Sequence, residues 1–321
     1  MKQMTAVLLL VVFACVAPVN AQDKYPSKPI QMLVPTTSGS GADFVARLLA
    51  ERLTQRLGQS VLVQNRQGAG GTIATQALAK SAPDGYTIML TNAAHSINPW
   101  IYRTLPYDSV RDFAGVALVG ETPMAVTVST LSGIRSVKEL ITLAKRQPGT
   151  INFGSAGVGS ATHLAGEYFA SRAGIKLIHV PYRTVSELYA DLMSDRIQAL
   201  FAPMSSSAAT LRTGKALALA LTSRTRVRAS PDLPTVSDDA ISGFEYTQWF
   251  GFIAPAGVPA PILDQLARAI RSASDDKDVR EKLEEQGIQS RIVILREFDA
   301  FIKADIDKLG QIVQAAGVKA N

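Results

Sequence analysis

The segments PTTSGSGAD (residues 35–43) and GSAGVGSATH (residues 154–163) share one pattern: each follows a short apolar run and precedes a helical pattern. We call them the first loop and the second loop. Loops of small and hydroxyl residues at a helix start direct backbone N–H groups at one spot, beside the positive end of the helix dipole. Either loop alone is compatible with an ordinary strand-to-helix turn. Two such loops, far apart in the chain, predict two halves that close on one carboxylate or phosphate.

The N-terminus has the pattern of a secretion signal. Lys2 precedes an apolar stretch at residues 6–17, which is shorter than the ~20 residues that span a bilayer. The segment VNA at residues 19–21 is a small-x-small cleavage site, so residues 1–21 are the expected signal peptide and Gln22 the first mature residue. An alternative is lipid anchoring at Cys15. The pattern predicts an exported protein.

Composition narrows the function further. Cys15 is the only cysteine and lies in the expected signal peptide, so the mature chain has no thiol or disulfide. The chain of 321 residues is long enough for two domains. Its net charge of +6 is scattered, and the densest basic cluster is RTRVR at residues 224–228. Export and the lack of a basic patch interleaved with aromatic residues argue against a nucleic-acid partner.

Strand-like and helix-like segments alternate along the chain. Apolar runs predict strands at residues 30–34, 61–63, 86–90, 151–153, 176–180, 197–201, 216–221 and 249–253. Helical patterns separate most of them, which predicts parallel sheets in an α/β fold.

Two apolar runs, residues 116–127 and 216–223, lack the usual intervening helix. Both are predicted to cross between domains. Domain 1 is then residues 22–122 plus 247–321, and domain 2 is residues 123–246. Ligands of open α/β sheets bind at the carboxyl ends of strands, so the cleft between the domains is the expected site.

Catalytic motifs are missing from the sequence. It contains no phosphate-binding Walker loop, no complete dinucleotide fingerprint and no nucleophile elbow. Three histidines, at positions 95, 163 and 179, lack metal-ligand spacing, so neither a cofactor, a metal nor a catalytic residue is predicted. Ser160 and His163 allow a minor alternative, a serine-type hydrolase with no evident acid.

Short motifs along essentially the whole mature chain resemble the Bug family of periplasmic solute-binding proteins. They include GQSVLVQNR (58–66), GAGGT (68–72), APDGY (82–86), HLAGE (163–167), HVPY (179–182) and WFGFIAPAG (249–257). The resemblance implies a type II periplasmic-binding-protein fold, in which two α/β domains enclose a ligand cleft. It also implies a small carboxylate ligand held by the two loops and a tripartite tricarboxylate transporter as partner.

Polar and small residues of the two loops and of nearby strand ends form the predicted ligand site. They are Thr36, Thr37, Ser38, Gly39, Ser40, Gly41, Asp43, Thr91, Asn92, Ser155, Gly157, Ser160, Thr162, His163, Tyr182 and Arg183. Asp43 is too acidic to meet a carboxylate directly and is expected to cap its helix and fix the loop. Arg183 either reaches a second carboxylate or is a solvated rim residue.

Residues 202–203 are Ala-Pro where the family often has Asp-Asn, which argues against a ligand with an α-amino group. The predicted function is a monomeric periplasmic receptor that delivers a small carboxylate to an inner-membrane permease. A binding protein that serves a two-component sensor kinase is the alternative. The sequence does not identify the ligand.

Overall fold

The computed structural model describes residues 25–227 and 230–316. The expected cleavage site at Ala21 and the alternative anchor at Cys15 lie outside these residues. Within them the elements are β1 (Ile30–Val34), α1 (Gly41–Leu57), β2 (Val61–Asn65), α2 (Thr72–Ala79), β3 (Thr87–Asn92), α3 (Ala94–Ile101), β4 (Phe113–Ser129), α4 (Val137–Arg146), β5 (Asn152–Ser155), α5 (Ala161–Ala173), β6 (Ile178–Pro181), α6 (Val185–Met193), β7 (Ala199–Pro203), α7 (Met204–Arg212), β8 (Ala216–Leu221), α8 (Val236–Asp239), β9 (Thr247–Pro255), α9 (Ala260–Ser274), α10 (Lys277–Glu285), β10 (Gln289–Ile294) and α11 (Leu295–Ala316).

The strands form a mixed sheet in the order β2-β1-β3-β9-β4-β7-β5-β6, and β8 and β10 also pair with β4. The outer pairs β1–β2, β1–β3, β5–β6 and β5–β7 are parallel, as the strand–helix alternation predicted. Every pairing that involves β4 or β9 is antiparallel, which the sequence analysis did not predict. Helix α3 precedes β4 and helix α8 precedes β9, but neither strand pairs with the strand that comes before that helix. The intervening helix therefore does not impose a parallel pairing on either strand.

The long strand β4 joins the two groups of parallel strands. Its first part pairs with β9 and β10, and its last part pairs with β7 and β8. The apolar run at residues 116–127 lies in β4 and crosses as predicted. The run at residues 216–223 does not, because β8 pairs only with the end of β4 and the chain returns to β9 through residues 222–246. The domain boundaries drawn from the sequence fall inside β4 and at the start of β9, and they stay a prediction.

Aromatic side chains fill much of the core between the sheet and its helices. Phe201 contacts Phe153 and Phe169, with ring centroids 6.0 and 5.0 Å apart, and all three rings are fully buried. Trp249 and Phe298 pack edge to face at 5.7 Å. Each such buried ring stabilises the fold by about 1.5–3 kcal/mol. Within residues 25–227 and 230–316, none of the helices has the length and apolarity needed to cross a membrane.

Thr222 ties three chain segments together where β4 crosses. Its backbone N–H donates to the Met124 carbonyl at 2.8 Å, and its carbonyl accepts from the N–H of Tyr246 at 2.8 Å. Its Oγ1 accepts from the N–H of Met124 at 2.8 Å and donates to the Tyr246 carbonyl at 2.6 Å. The side chain is fully buried, so no water replaces these bonds.

We predict that Thr222→Val lowers the free energy of unfolding by about 1–3 kcal/mol, because it leaves buried backbone groups without a partner. Chemical denaturation measures this change. Thr127→Val is the matched control, because Thr127 is a fully buried threonine of β4 whose Oγ1 has no hydrogen-bond partner among the described residues. The control should be neutral or stabilising; equal losses in both variants would contradict the role of the Thr222 hydroxyl.

Candidate functional site

A cavity of about 680 Å³ lies where the carboxyl ends of β1, β3, β5, β6 and β7 meet the helices that follow them. Six helix starts contribute to its described wall: Gly41 and Ala42 in α1, Gly71 before α2, Ala94 in α3, Ala161 and Thr162 in α5, Val185 in α6 and Ser206 in α7. A helix start carries a partial positive charge of about half an elementary charge. The wall therefore favours an anion.

The first loop is held in shape by its own polar groups. Ser40 is the N-cap of α1, and its Oγ accepts from the N–H of Asp43 at 3.3 Å. The Asp43 carboxylate accepts from the Gly39 N–H at 2.9 Å, Arg47 Nε at 3.0 Å and Asn65 Nδ2 at 2.9 Å. Burial opposes the charged carboxylate, but these hydrogen bonds prevail and lower the pKa of Asp43. The prediction that Asp43 caps the helix was wrong, whereas its role in fixing the loop is visible in these contacts.

The second loop uses the same chemistry. Ser160 is the N-cap of α5; its Oγ accepts from the His163 N–H at 3.2 Å and donates to the Gly157 carbonyl at 2.7 Å. Thr162 Oγ1 accepts from the N–H of Ala156 at 3.0 Å. Gly157 has φ of +106°, a backbone conformation that residues other than glycine rarely adopt. Hydroxyl groups of the loop thus hydrogen-bond to several of its backbone N–H and carbonyl groups.

Two N–H groups at each helix start keep no acceptor within the described residues. They belong to Gly41 and Ala42 in α1 and to Ala161 and Thr162 in α5, and all four residues line the cavity. First-turn N–H groups have no partner inside a helix and point along its axis beyond the N-terminus. Two pairs of unused donors therefore face one cavity from opposite loops.

A third loop, residues 67–71, fills the gap between the first two and lines the cavity. Its residues 68–71 all have positive φ, a conformation that glycine permits at low cost. A Cβ on Gly70 would lie 3.7 Å from the Gly159 carbonyl, and a Cβ on Gly71 would lie 3.1 Å from Pro35 Cβ. Its GAGGT motif, at residues 68–72, was not among the predicted site residues. The motif's glycines were the available signal.

The predicted site residues divide into wall and support. Those that line the cavity are Thr36, Thr37, Ser40, Gly41, Asn92, Gly157, Ser160, Thr162, Tyr182 and Arg183. Those that do not are Ser38, Gly39, Asp43, Thr91, Ser155 and His163. Most of the second group support the loops from behind through the hydrogen bonds of Asp43, Ser155 and His163. Thr91 faces away because successive side chains of a strand point to opposite faces, and its neighbour Asn92 faces the cavity.

Apolar residues of the wall were missed by the sequence analysis. They include Tyr102, Leu188, Tyr189 and Phe250, and Gln248 adds an amide beside them. Tyr102 ends α3, and the others lie on α6 and β9. Their positions depend on how these elements pack against the loops, and no local pattern reports that packing. The wall thus combines polar helix starts with an apolar side.

Charge is sparse at the cavity. Arg183 is the single charged side chain among the described lining residues; it is exposed and makes no ion pair within them. No aspartate, glutamate, lysine or histidine is found in that wall. In residues 25–227 and 230–316 there is also no group of three or more His, Cys, Asp or Glu side chains that could hold a metal ion.

The serine–histidine contacts behind the second loop do not resemble a hydrolase site. The ring of His163 accepts from the Gly159 N–H through Nδ1 at 3.2 Å, and Ser160 Oγ contacts only the backbone of His163. Ser155 Oγ does lie 2.6 Å from His179 Nε2, but Ser155 is fully buried and does not reach the cavity. Burial and the neighbouring His163 ring lower the pKa of His179 to about 4.

Known proteins share this architecture. Residues 45–318 match the family described as "Tripartite tricarboxylate transporter family receptor" (TctC). Protein BugT of Bordetella pertussis is 34% identical over 305 residues, which cover 94% of this chain and 93% of BugT. The structure of R. palustris Rpa4515 with adipate has a TM-score of 0.88 and 30% identity, and covers 92% of this chain and 99% of that chain.

The periplasmic binding protein BugD has a TM-score of 0.86 and 31% identity, and covers 92% of this chain and 100% of its own. The matched region, the sequence identity and the fold agree with one another. The chain therefore belongs to the tripartite tricarboxylate transporter receptor family.

Proposed function

We propose that this protein is a periplasmic receptor that binds a small organic carboxylate in the cavity between the first and second loops. The observation that carries the proposal is the two pairs of unused N–H donors, on Gly41 and Ala42 and on Ala161 and Thr162. A carboxylate accepts about four hydrogen bonds, and helix-start donors supply them without a partner cation. Adipate, the ligand of Rpa4515, is a carboxylate of this kind.

The ligand is proposed to lack an α-amino group. Ala202 and Pro203 line the cavity, and no acidic side chain is found among the described lining residues. Burying an ammonium group without a carboxylate partner costs several kcal/mol of binding free energy. Micromolar binding corresponds to about 8 kcal/mol, so this cost cancels part of it and is large enough to decide between two related ligands. Dicarboxylates, hydroxy acids and aromatic acids meet the wall without this penalty.

Arg183 is proposed to contact a second carboxylate of the ligand. It follows β6 and lines the cavity near the second loop, where the Tyr182 carbonyl lies 4.0 Å from the position of a Cβ on Gly157. Leu188 and Phe250 supply apolar wall for the ligand's carbon chain. A ligand with two acidic ends and an apolar middle matches the helix starts, the apolar wall and Arg183.

The partner is proposed to be the inner-membrane permease of a tripartite transporter, reached in the periplasm after removal of residues 1–21. Membership of the receptor family supports this partner. A role in sensing remains the second candidate, and a gene for a sensor kinase rather than a permease beside this one would favour it. We propose that the receptor is a monomer and that it catalyses no reaction.

Paired titrations test the ligand class. Succinate and L-aspartate, and adipate and L-2-aminoadipate, differ within each pair by one ammonium group. Calorimetry should show the acid without the amine binding at least tenfold more tightly in each pair in which either binds. Tighter binding of the amino acid would show that another acid serves the amine.

Arg183→Gln separates the two ends of the ligand in the same assay. The substitution should weaken adipate and leave hexanoate, which has one carboxylate on the same carbon chain, unchanged. Equal weakening of both would assign Arg183 to the first carboxylate instead.

Gly157→Val should abolish adipate binding while the chain remains folded. A Cβ at Gly157 has room, but a β-branched residue does not hold φ of +106°, so the second loop must change shape. Gly174→Val is the matched control, because Gly174 also has positive φ, at +61°, and ends α5 with nothing within 4 Å of its Cβ position. The control should lose stability but keep its affinity. Unchanged affinity in Gly157→Val would reject the proposed site.

The mature protein should appear in a periplasmic extract with Gln22 as its first residue. Mass spectrometry of the intact protein and of its N-terminal peptide measures this. The small residues at positions 19–21 provide the cleavage site. A lipid-modified Cys15 at the N-terminus would overturn the prediction.

A further inference from the structure

Two stacked imidazole rings lie directly behind the second loop, and the proposed function gives them no task. The ring centroids of His163 and His179 are 3.8 Å apart, with 23° between the ring planes. Phe153 packs against both rings, at 6.4 and 5.1 Å. Neither histidine lines the cavity, so neither is placed to touch the ligand.

Each ring is bonded to a different part of the loop. His163 Nδ1 accepts from the N–H of Gly159 at 3.2 Å. His179 Nε2 lies 2.6 Å from Ser155 Oγ, and that oxygen also accepts from the N–H of Gly157 at 3.1 Å. The stacked pair therefore hydrogen-bonds to the loop on both sides of residue 158, immediately before the unused N–H donors at the start of α5.

We propose that His163 and His179 are positioning residues, which hold the second loop in the shape that aims the N–H groups of Ala161 and Thr162 at a bound carboxylate. The proposal rests on the proposed function for its ligand, but the shape of the loop exists without one. Ring nitrogens that hydrogen-bond to the loop are essential to it. An apolar side chain of similar size would fill the space, leave the Gly159 N–H without a partner and remove the imidazole contact of the Ser155 hydroxyl, which keeps its contacts to Gly157.

One carboxylate lies near the ring nitrogens. Glu167 of α5 has a carboxylate oxygen 3.7 Å from His163 Nε2, and no other carboxylate oxygen of the described residues lies within 4.0 Å of either ring nitrogen. The packed strands β5 (Asn152–Ser155) and β7 (Ala199–Pro203) carry no ionisable side chain, and the nearby Tyr182 hydroxyl donates to Asp191. The acids of α11, which also packs against α5, make no such contact. His163 Nδ1 cannot carry a proton while it accepts from Gly159.

Conservative and apolar replacements distinguish a residue that positions the loop from one that only fills space behind it. Asn at 163 keeps an acceptor near the Nδ1 position, and Gln at 179 keeps one near the Nε2 position, whereas Leu at either site keeps only volume. We expect His163→Leu and His179→Leu to weaken adipate at least tenfold. His163→Asn and His179→Gln should stay within threefold of the wild-type affinity.

Amide hydrogen exchange of the ligand-free protein gives a second readout that needs no ligand. The Gly159 amide should exchange at least tenfold faster in His163→Leu and at the wild-type rate in His163→Asn. Failure of the wild type to bind any carboxylate would reject the proposed function and leave this exchange pattern intact. Equal exchange and equal affinity in the Leu and Asn variants would overturn the positioning role. If the Leu variants do not fold, loss of adipate binding or of Gly159 protection in the folded His163→Asn protein would overturn it as well.

Discussion

The convergence of helix starts on one cavity is the constraint from which the other features follow. Parallel strands on both sides of β4 end at the same place, and a helix follows each of β1, β2, β3, β5, β6 and β7. The unsatisfied N–H groups and positive dipole ends of those helices then share one volume. An anion stabilises such a wall, and a cation or a neutral apolar ligand does not. The scarcity of charged side chains at the cavity agrees with this, because backbone dipoles already provide the field.

The hydroxyl residues of the loops serve mainly to shape the loops. Ser40 and Ser160 cap their helices, and Thr162 Oγ1 accepts a hydrogen bond from the N–H of Ala156. Their effect is to satisfy the loop's other polar atoms and leave the first two N–H groups of each helix unused. A loop shaped in this way needs little rearrangement on binding, which lowers the ordering cost that weakens association. We propose that selectivity depends on the side chains around the loops, above all Arg183 and the apolar wall that includes Phe250, all of which line the cavity.

The sequence predicted the local features well because their causes are local. The small-residue loops, the helix that ends at Gly58 and the strand Ile30–Val34 follow from side-chain type and spacing, and the structure confirms each of them. Strand direction at β4 and β9 was missed because an apolar run reads the same in both directions. The third loop and Phe250 were missed for a related reason: their place beside the cavity is set by strand order, which no short pattern encodes. The predicted cap at Asp43 was wrong, because the hydroxyl of Ser40, three residues earlier, accepts the hydrogen bond at the helix start.

A crystal structure with a bound dicarboxylate such as adipate tests the central claim most directly. The convergence of α1 and α5 predicts carboxylate oxygens within about 3.2 Å of the backbone nitrogens of Gly41 or Ala42 and of Ala161 or Thr162, directly or through one ordered water on each side. A carboxylate held only by Arg183, with both helix starts left to solvent, would contradict it.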